Sequence, residues 1–145
     1  MTRYIRDGRA PIPENENISR VMSANKGKNT KPEIALRNAL YQNGLRGYRL
    51  HWKKAPGRPD ISYPGKKIAI FVNGCYWHRC PYCDPSDPKT NVEFWLEKFL
   101  KNKERDKRKQ AILESQGWKV LVIWECQIRS DLIHYVSIID KIVNQ

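Results

Sequence analysis

The sequence predicts a small α/β (α+β) domain with a metal-stabilised loop. Three observations carry that reading. Two apolar runs of strand length, KKIAIFVNG and WKVLVIWE, stand on either side of a long charged helical pattern. The order helix, three short strands, long helix, strand, helix fits one layered core. Three of the four cysteines crowd into the run CYWHRCPYC between the first apolar run and the long helix.

Taken in order, residues 1–17 are polar, are punctuated by Pro11 and Pro13, and predict a loose arm ahead of a single domain over 18–145. Ile18–Ala24 is a short helical candidate, followed by the basic loop NKGKNTK. Thr30 and Glu33 have the spacing of a capping box, with Pro32 tolerated in the first turn. The helix they open carries Ala35, Leu36, Ala39 and Leu40 on one face and stops near Gly44. GYRLHW and DISY read as short strands on either side of the basic turn KKAPGRPD. The unbroken apolar centre of KKIAIFVNG predicts a strand covered on both faces. Thr90 and Glu93 repeat the capping-box pattern before the long helix, which Gly117 ends. WKVLVIWE is a second buried strand, and Leu132–Val143 an amphipathic closing helix.

Composition narrows the function. The chain has 145 residues, with 27 Lys+Arg against 15 Asp+Glu and a net charge of +12, so a polyanionic partner is expected, nucleic acid first. No segment reaches about 18 consecutive apolar residues, so no membrane partner is expected. The N-terminus lacks the apolar stretch of a signal peptide, which makes the cytoplasm the expected compartment and disulfides a poor use for the cysteines.

Cys75, Cys80, Cys83 and Cys126 match the count for one tetrahedral all-thiolate zinc site, with Cys80 and Cys83 at knuckle spacing. A redox pair at Cys80 and Cys83, or four inert thiols, are the alternatives. The redox pair lacks its usual strand-then-helix setting. A closed four-cysteine shell leaves His78 free to move a proton, although a lone histidine is more often a surface or packing residue. His51 and His134 read as structural. Asp60, after PGRP at the start of a strand, has the position of a cation-binding nuclease carboxylate. The acidic-x-Lys triplet that usually follows is missing from IAIFV, and a turn carboxylate capping local amides remains open. Phosphodiester hydrolysis needs a hard cation and a proton acceptor, which Asp60, Glu33 and His78 could supply if the fold gathers them. Lys26, Lys28 and Lys31, with Lys53, Lys54 and Arg58, flank these candidates and could hold DNA phosphates. The lysines of the long helix are interleaved with acids and read in part as a solvated face.

PGRPD, VNGCYWHRCPYC, TNVEFWLEKFLKNKERD and GWKVLVIWEC together resemble the very-short-patch DNA mismatch repair endonucleases, over a span from about Ile18 to Cys126. The resemblance implies a restriction-endonuclease-like core, with a central mixed sheet flanked by helices. It implies a Mg2+-dependent enzyme that nicks double-stranded DNA 5′ of the thymine in a T:G pair. On this chain, Asp60 and the main-chain carbonyl of Val72 would bind Mg2+, and His78 would be the general base. Asp106 would orient His78, and Glu33 would be a further acidic residue. Tyr76 and Trp77 would insert beside the mismatch from one groove and Met22 from the other; packing of the two aromatics against the zinc loop is the alternative. Phe94 and Trp95 read more plainly as helix residues packed on the sheet.

The chain departs from the best-known form of the family in two places. A shell that includes a histidine becomes all cysteine, and Val72-Asn73 replaces a threonine-histidine pair. Mismatched duplex DNA, nucleoid association, possible mismatch-repair proteins and a monomeric state complete the expectation. A related nicking enzyme of a restriction or defence system, or a non-catalytic zinc-stabilised DNA-binding protein, are the competing readings.

Overall fold

The computed structural model describes residues 28–145. The expected arm, the helix at Ile18–Ala24, Met22 and Lys26 lie outside the described residues. The elements are α1 (Lys31–Gln42), β1 (Arg49–Leu50), β2 (Ile61–Tyr63), β3 (Ile68–Asn73), α2 (Val92–Ser115), β4 (Lys119–Trp124) and α3 (Glu125–Val143). The strands form one mixed sheet in the order β1-β2-β3-β4, antiparallel except for the parallel β3–β4 pair.

β3 is covered on both faces, as its unbroken apolar run predicts, and strand alternation divides its side chains between two cores. Ile68 and Ile70 join Ile61, Tyr63 and Ile123 in a core closed by Leu36 and Leu40 of α1 and Ile128, Val136 and Ile139 of α3. Ala69 packs on the opposite face with Ala55 and Leu113, flanked by Trp52, Phe71, Trp118 and Val120. Helices therefore flank the sheet on both sides. Among the described residues no helix is long and apolar enough to cross a membrane.

Three local expectations change. α1 starts after Thr30, but the Thr30 side chain makes no cap hydrogen bond. Glu33 is 2 % exposed, and its Oε2 accepts the Asn29 N–H at 3.0 Å. α2 starts after Asn91 rather than Thr90, with Asn91 in the left-handed region and no side-chain cap. α3 starts directly after β4, well before Leu132, and leaves helical geometry at Asp131. Its first turns, ECQIRS, lack an apolar period, so pattern reading finds only the second half. Trp124 N–H donates to Gln127 Oε1 at 2.9 Å and fixes the abrupt turn from strand to helix.

The loop carrying Asp60 is locked to α2 through Gly57. Its φ is +76°, and a Cβ there would meet Lys109 Cβ and Cγ at 2.9 Å. Alanine at this position faces both left-handed strain and a clash near the helix backbone, together at least about 2 kcal/mol. Gly57→Ala should lower the melting temperature by about 4–8 °C. An unchanged melting curve would show that the loop is not held against the helix.

Candidate active site and metal centre

The four cysteines converge. One sulfur from each of Cys75, Cys80, Cys83 and Cys126 lies within 4.8 Å of the others. Cys80 Sγ and Cys126 Sγ are 3.7 Å apart. A tetrahedral site with bonds of about 2.3 Å separates its sulfurs by about 3.8 Å, whereas a disulfide needs about 2.05 Å. Backbone amides already serve the sulfurs: Tyr82 N–H donates to Cys80 Sγ at 3.4 Å and Cys126 N–H to Cys75 Sγ at 3.3 Å. The donor set and spacing fit zinc. Cys126 sits in the first turn of α3, directly after β4.

The loop that carries Cys75, Cys80 and Cys83 also presents His78. Its Nδ1 lies 2.7 Å from Asp106 Oδ2 on α2. Asn102, one turn earlier on α2, donates its side-chain amide to the Trp77 carbonyl at 3.3 Å. Arg79 closes the far side, donating to the carbonyls of Pro85 and Ser86 and pairing with Asp87. Its guanidinium also lies over the Phe99 ring at 4.7 Å.

Asp60 opens the second half of the site. Its Oδ2 accepts the Val72 N–H at 2.7 Å, which ties the start of β2 to β3 through an amide that the antiparallel ladder does not use. Burial pushes the Asp60 carboxyl up to about 6. The Val72 hydrogen bond opposes that shift, Glu33 adds to it, and His78 and Lys109 pull it down. Glu33 Oε1 lies 2.7 Å from His51 Nε2, and His51 Nδ1 lies 3.8 Å from Asp60 Oδ1. Glu33, His51 and Asp60 offer ligand atoms within 4.8 Å of one another.

The structure thus joins a carboxylate pocket to a histidine–aspartate pair, on a mixed sheet with a four-cysteine centre. The DNA mismatch endonuclease Vsr family model matches residues 12–83. The type II nicking enzyme V.XorIIP of Xanthomonas oryzae pv. oryzae is 42% identical over 112 residues, covering 77% of this chain and 81% of that protein.

The chain belongs to the Vsr family.

Other members agree in extent. The DNA mismatch endonuclease Vsr of Escherichia coli K12 is 38% identical over 83% of this chain and 76% of its own length. The type II nicking enzyme V.NaeI of Lentzea aerocolonigenes is 40% identical over 87% and 78%. Among solved structures, the catalytic domain of the homing endonuclease I-Bth0305I superposes with a TM-score of 0.53 and 27% identity, covering 78% of this chain and 93% of that domain. The restriction-endonuclease-like architecture expected of a Vsr protein is the one observed.

Within this Vsr chain, Glu33 and Asp60 lie in one pocket, and His78 pairs with Asp106 close enough to act on Asp60 electrostatically. Val72 meets Asp60 through its amide N–H. Tyr76 and Trp77 are half-buried in a ring cluster: Tyr76 meets Phe99 at 5.5 Å and Trp77 meets Trp95 at 5.4 Å. Phe94 is 36 % exposed and stacks edge-on with Trp95 at 5.1 Å, so these two rings line the zinc loop's aromatic cluster and not simply the sheet. Lys28, Lys31, Lys53, Lys54 and Arg58 are exposed.

Two residues in the site escaped the sequence reading. His51 looked structural because it falls in the strand candidate GYRLHW; the observed strand is Arg49–Leu50, and His51 leaves it with a left-handed backbone. Lys109 looked like part of a solvated helix face. Its nearness to a glycine turn was the signal, and only the tertiary contact reveals it.

The raised Asp60 value has a stability consequence. A native carboxyl at about 6, against 3.8 in the unfolded chain, favours the folded state below about pH 4 and costs it up to about 3 kcal/mol once pH exceeds 6. Asp60→Asn keeps an acceptor for the Val72 N–H and removes the charge. Without added divalent cation it should melt higher than the parent at pH 8, with the gain gone below about pH 4. Equal melting at both pH values would contradict this electrostatic account.

Proposed function

We propose that this chain is a strand-nicking DNA endonuclease that hydrolyses the phosphodiester 5′ of the thymine in a T:G mismatch, in very-short-patch repair. The observation that carries this reading is the His78–Asp106 pair set beside the buried Asp60 carboxylate. Asp106 holds His78 Nδ1, which leaves Nε2 to take a proton from the attacking water. The water oxygen bonds to phosphorus as the bond to the 3′ oxygen breaks, giving a 5′-phosphate and a 3′-hydroxyl. His78 takes the water's proton, and the departing oxygen takes one from solvent.

Asp60, through the Oδ1 that Val72 N–H leaves free, together with the Val72 carbonyl would hold Mg2+, with Glu33 beside them. Magnesium, when bound, neutralises phosphate charge and makes the attacking water more acidic. Cys75, Cys80, Cys83 and Cys126 hold a structural zinc that keeps His78 in place. Lys28, Lys31, Lys53, Lys54 and Arg58 grip phosphates, so binding weakens with salt. Tyr76 and Trp77 act as the wedge, since unstacking costs less at a mismatch than at a paired step. The protein works on DNA in the cytoplasm, at the nucleoid, as a monomer.

A second reading has a specific observation in its favour: several relatives are named as type II nicking enzymes rather than as mismatch endonucleases. On that reading the chemistry stands and the setting is a restriction system. The deciding experiment uses labelled duplexes of one sequence, with a T:G or a T:A pair, and Mg2+. The intact protein should nick the T:G duplex on the thymine strand. His78→Ala should lose about 10²–10⁴-fold in rate, and Asp60→Asn should be inactive. No nicking by the intact protein, or equal nicking by all three, would overturn the mechanism; equal nicking of both duplexes would overturn the T:G assignment.

Zinc has its own test. Metal analysis should find a zinc ion in the purified chain that is lost in Cys80→Ser, together with nicking and a lowered melting temperature. A zinc-free protein of full activity would remove the four-cysteine centre from the argument.

A further inference from the structure

His51 has no part in the chemistry above, yet it lies in the middle of the acidic pocket. Its backbone sits in the left-handed region (φ 49°), and its N–H donates to the Asp60 carbonyl at 3.1 Å, so the chain itself pins residue 51 to residue 60. The ring stands between two carboxylates, with Nε2 2.7 Å from Glu33 Oε1 and Nδ1 3.8 Å from Asp60 Oδ1.

At 2.7 Å, Glu33 Oε1 and His51 Nε2 form a close contact, both atoms are buried, and neither has a hydrogen-bond partner elsewhere among the described residues. Glu33 is 2 % exposed, and only its Oε2 is served, by the Asn29 N–H. Arg37 Nη1 stands off at 3.7 Å from Oε1. Two buried ligand atoms this close, with Asp60 in the same cluster, have the spacing of neighbouring ligands on one cation, since bonds of about 2.1 Å at right angles bring them to about 3 Å.

We propose that His51 Nε2 is a direct ligand, with Glu33 Oε1 and Asp60 Oδ1, of the divalent cation in this pocket, and that this nitrogen makes the site prefer Mn2+ to Mg2+. The chemistry follows from the donor set. Magnesium favours oxygen ligands and keeps its waters, whereas imidazole suits first-row transition ions. The proposal rests on reading Asp60 as a cation ligand, and it adds a nitrogen donor and a metal preference.

The test uses the zinc-loaded full chain and Mn2+ alone, without DNA, so failure to nick a mismatch and failure of this ligand assignment are separate results. Pulsed electron paramagnetic resonance of the bound Mn2+ should show coupling to a histidine 14N. The chain has three histidines, so His78→Gln/His134→Gln should keep that coupling and His51→Gln should lose it. His51→Gln should also weaken Mn2+ by at least about tenfold, the low end for losing even an outer-shell partner, with a smaller effect on Mg2+. Absence of nitrogen coupling in the intact protein, or its loss in the double variant, would overturn the assignment even if His51→Gln fails to fold. Coupling that survives in Asp60→Asn with unchanged Mn2+ affinity would overturn it as well, by placing the ion elsewhere.

Discussion

The parallel pairing of β3 with β4 is the constraint on which the site depends. Asn73 faces Trp124 across the pair, so Cys75 and Cys126, each two residues further along, leave the sheet side by side. Nothing in the 45 residues between the strands (74–118) has to guide them together, because the register does it. Cys80 and Cys83 then close on that pair and fold the 75–87 loop back over the end of the sheet. His78 is carried in this loop, so the position of the His78–Asp106 pair follows from the register of two apolar strands. A small chain gains order here that an apolar core alone would not give to a loop so rich in proline and polar residues.

The same sheet places the carboxylates. Asp60 enters β2 with its Oδ2 fixed by a β3 amide, and Glu33 comes from a helix packed on the opposite side of the pocket. Burial makes Asp60 hard to ionise, and Glu33 sharpens the difficulty. Folding therefore holds two acidic groups in a place that only a positive charge relieves. The aromatic cluster shows a related tension: Tyr76 and Trp77 are packed against Phe99 and Trp95, so base contacts made by these rings would replace ring contacts already present.

Much of this was legible in the chain. β3, β4 and the bodies of all three helices announce themselves through apolar runs and periodicity, and four cysteines of suitable spacing announce a centre. The misreadings share a physical cause. Thr30 and Glu33 looked like a capping box, and Glu33 also like a site acid, because local spacing cannot say whether a carboxylate turns back to its own helix or into a pocket. The start of α3 was missed because its first turn, ECQ, is polar and Ile128 alone sets no period. His51 lies at the end of a two-residue strand, and its place depends on a left-handed backbone that no side-chain pattern encodes. Where pairing between distant segments decides the outcome, sequence patterns offer candidates and the fold selects among them.

Asp106 and Lys109 stand three residues apart on one face of α2. The first holds His78, and the second lies under Gly57 of the loop that delivers Asp60. Three residues of helix, a rise of about 4.5 Å, are thus the ruler between the His78–Asp106 pair and the carboxylate pocket. Neither loop needs to be stiff along its whole length, because both are indexed to the same rigid rod. Evolution can lengthen or recompose the surface of either loop while the spacing between His78 and the carboxylate pocket stays fixed.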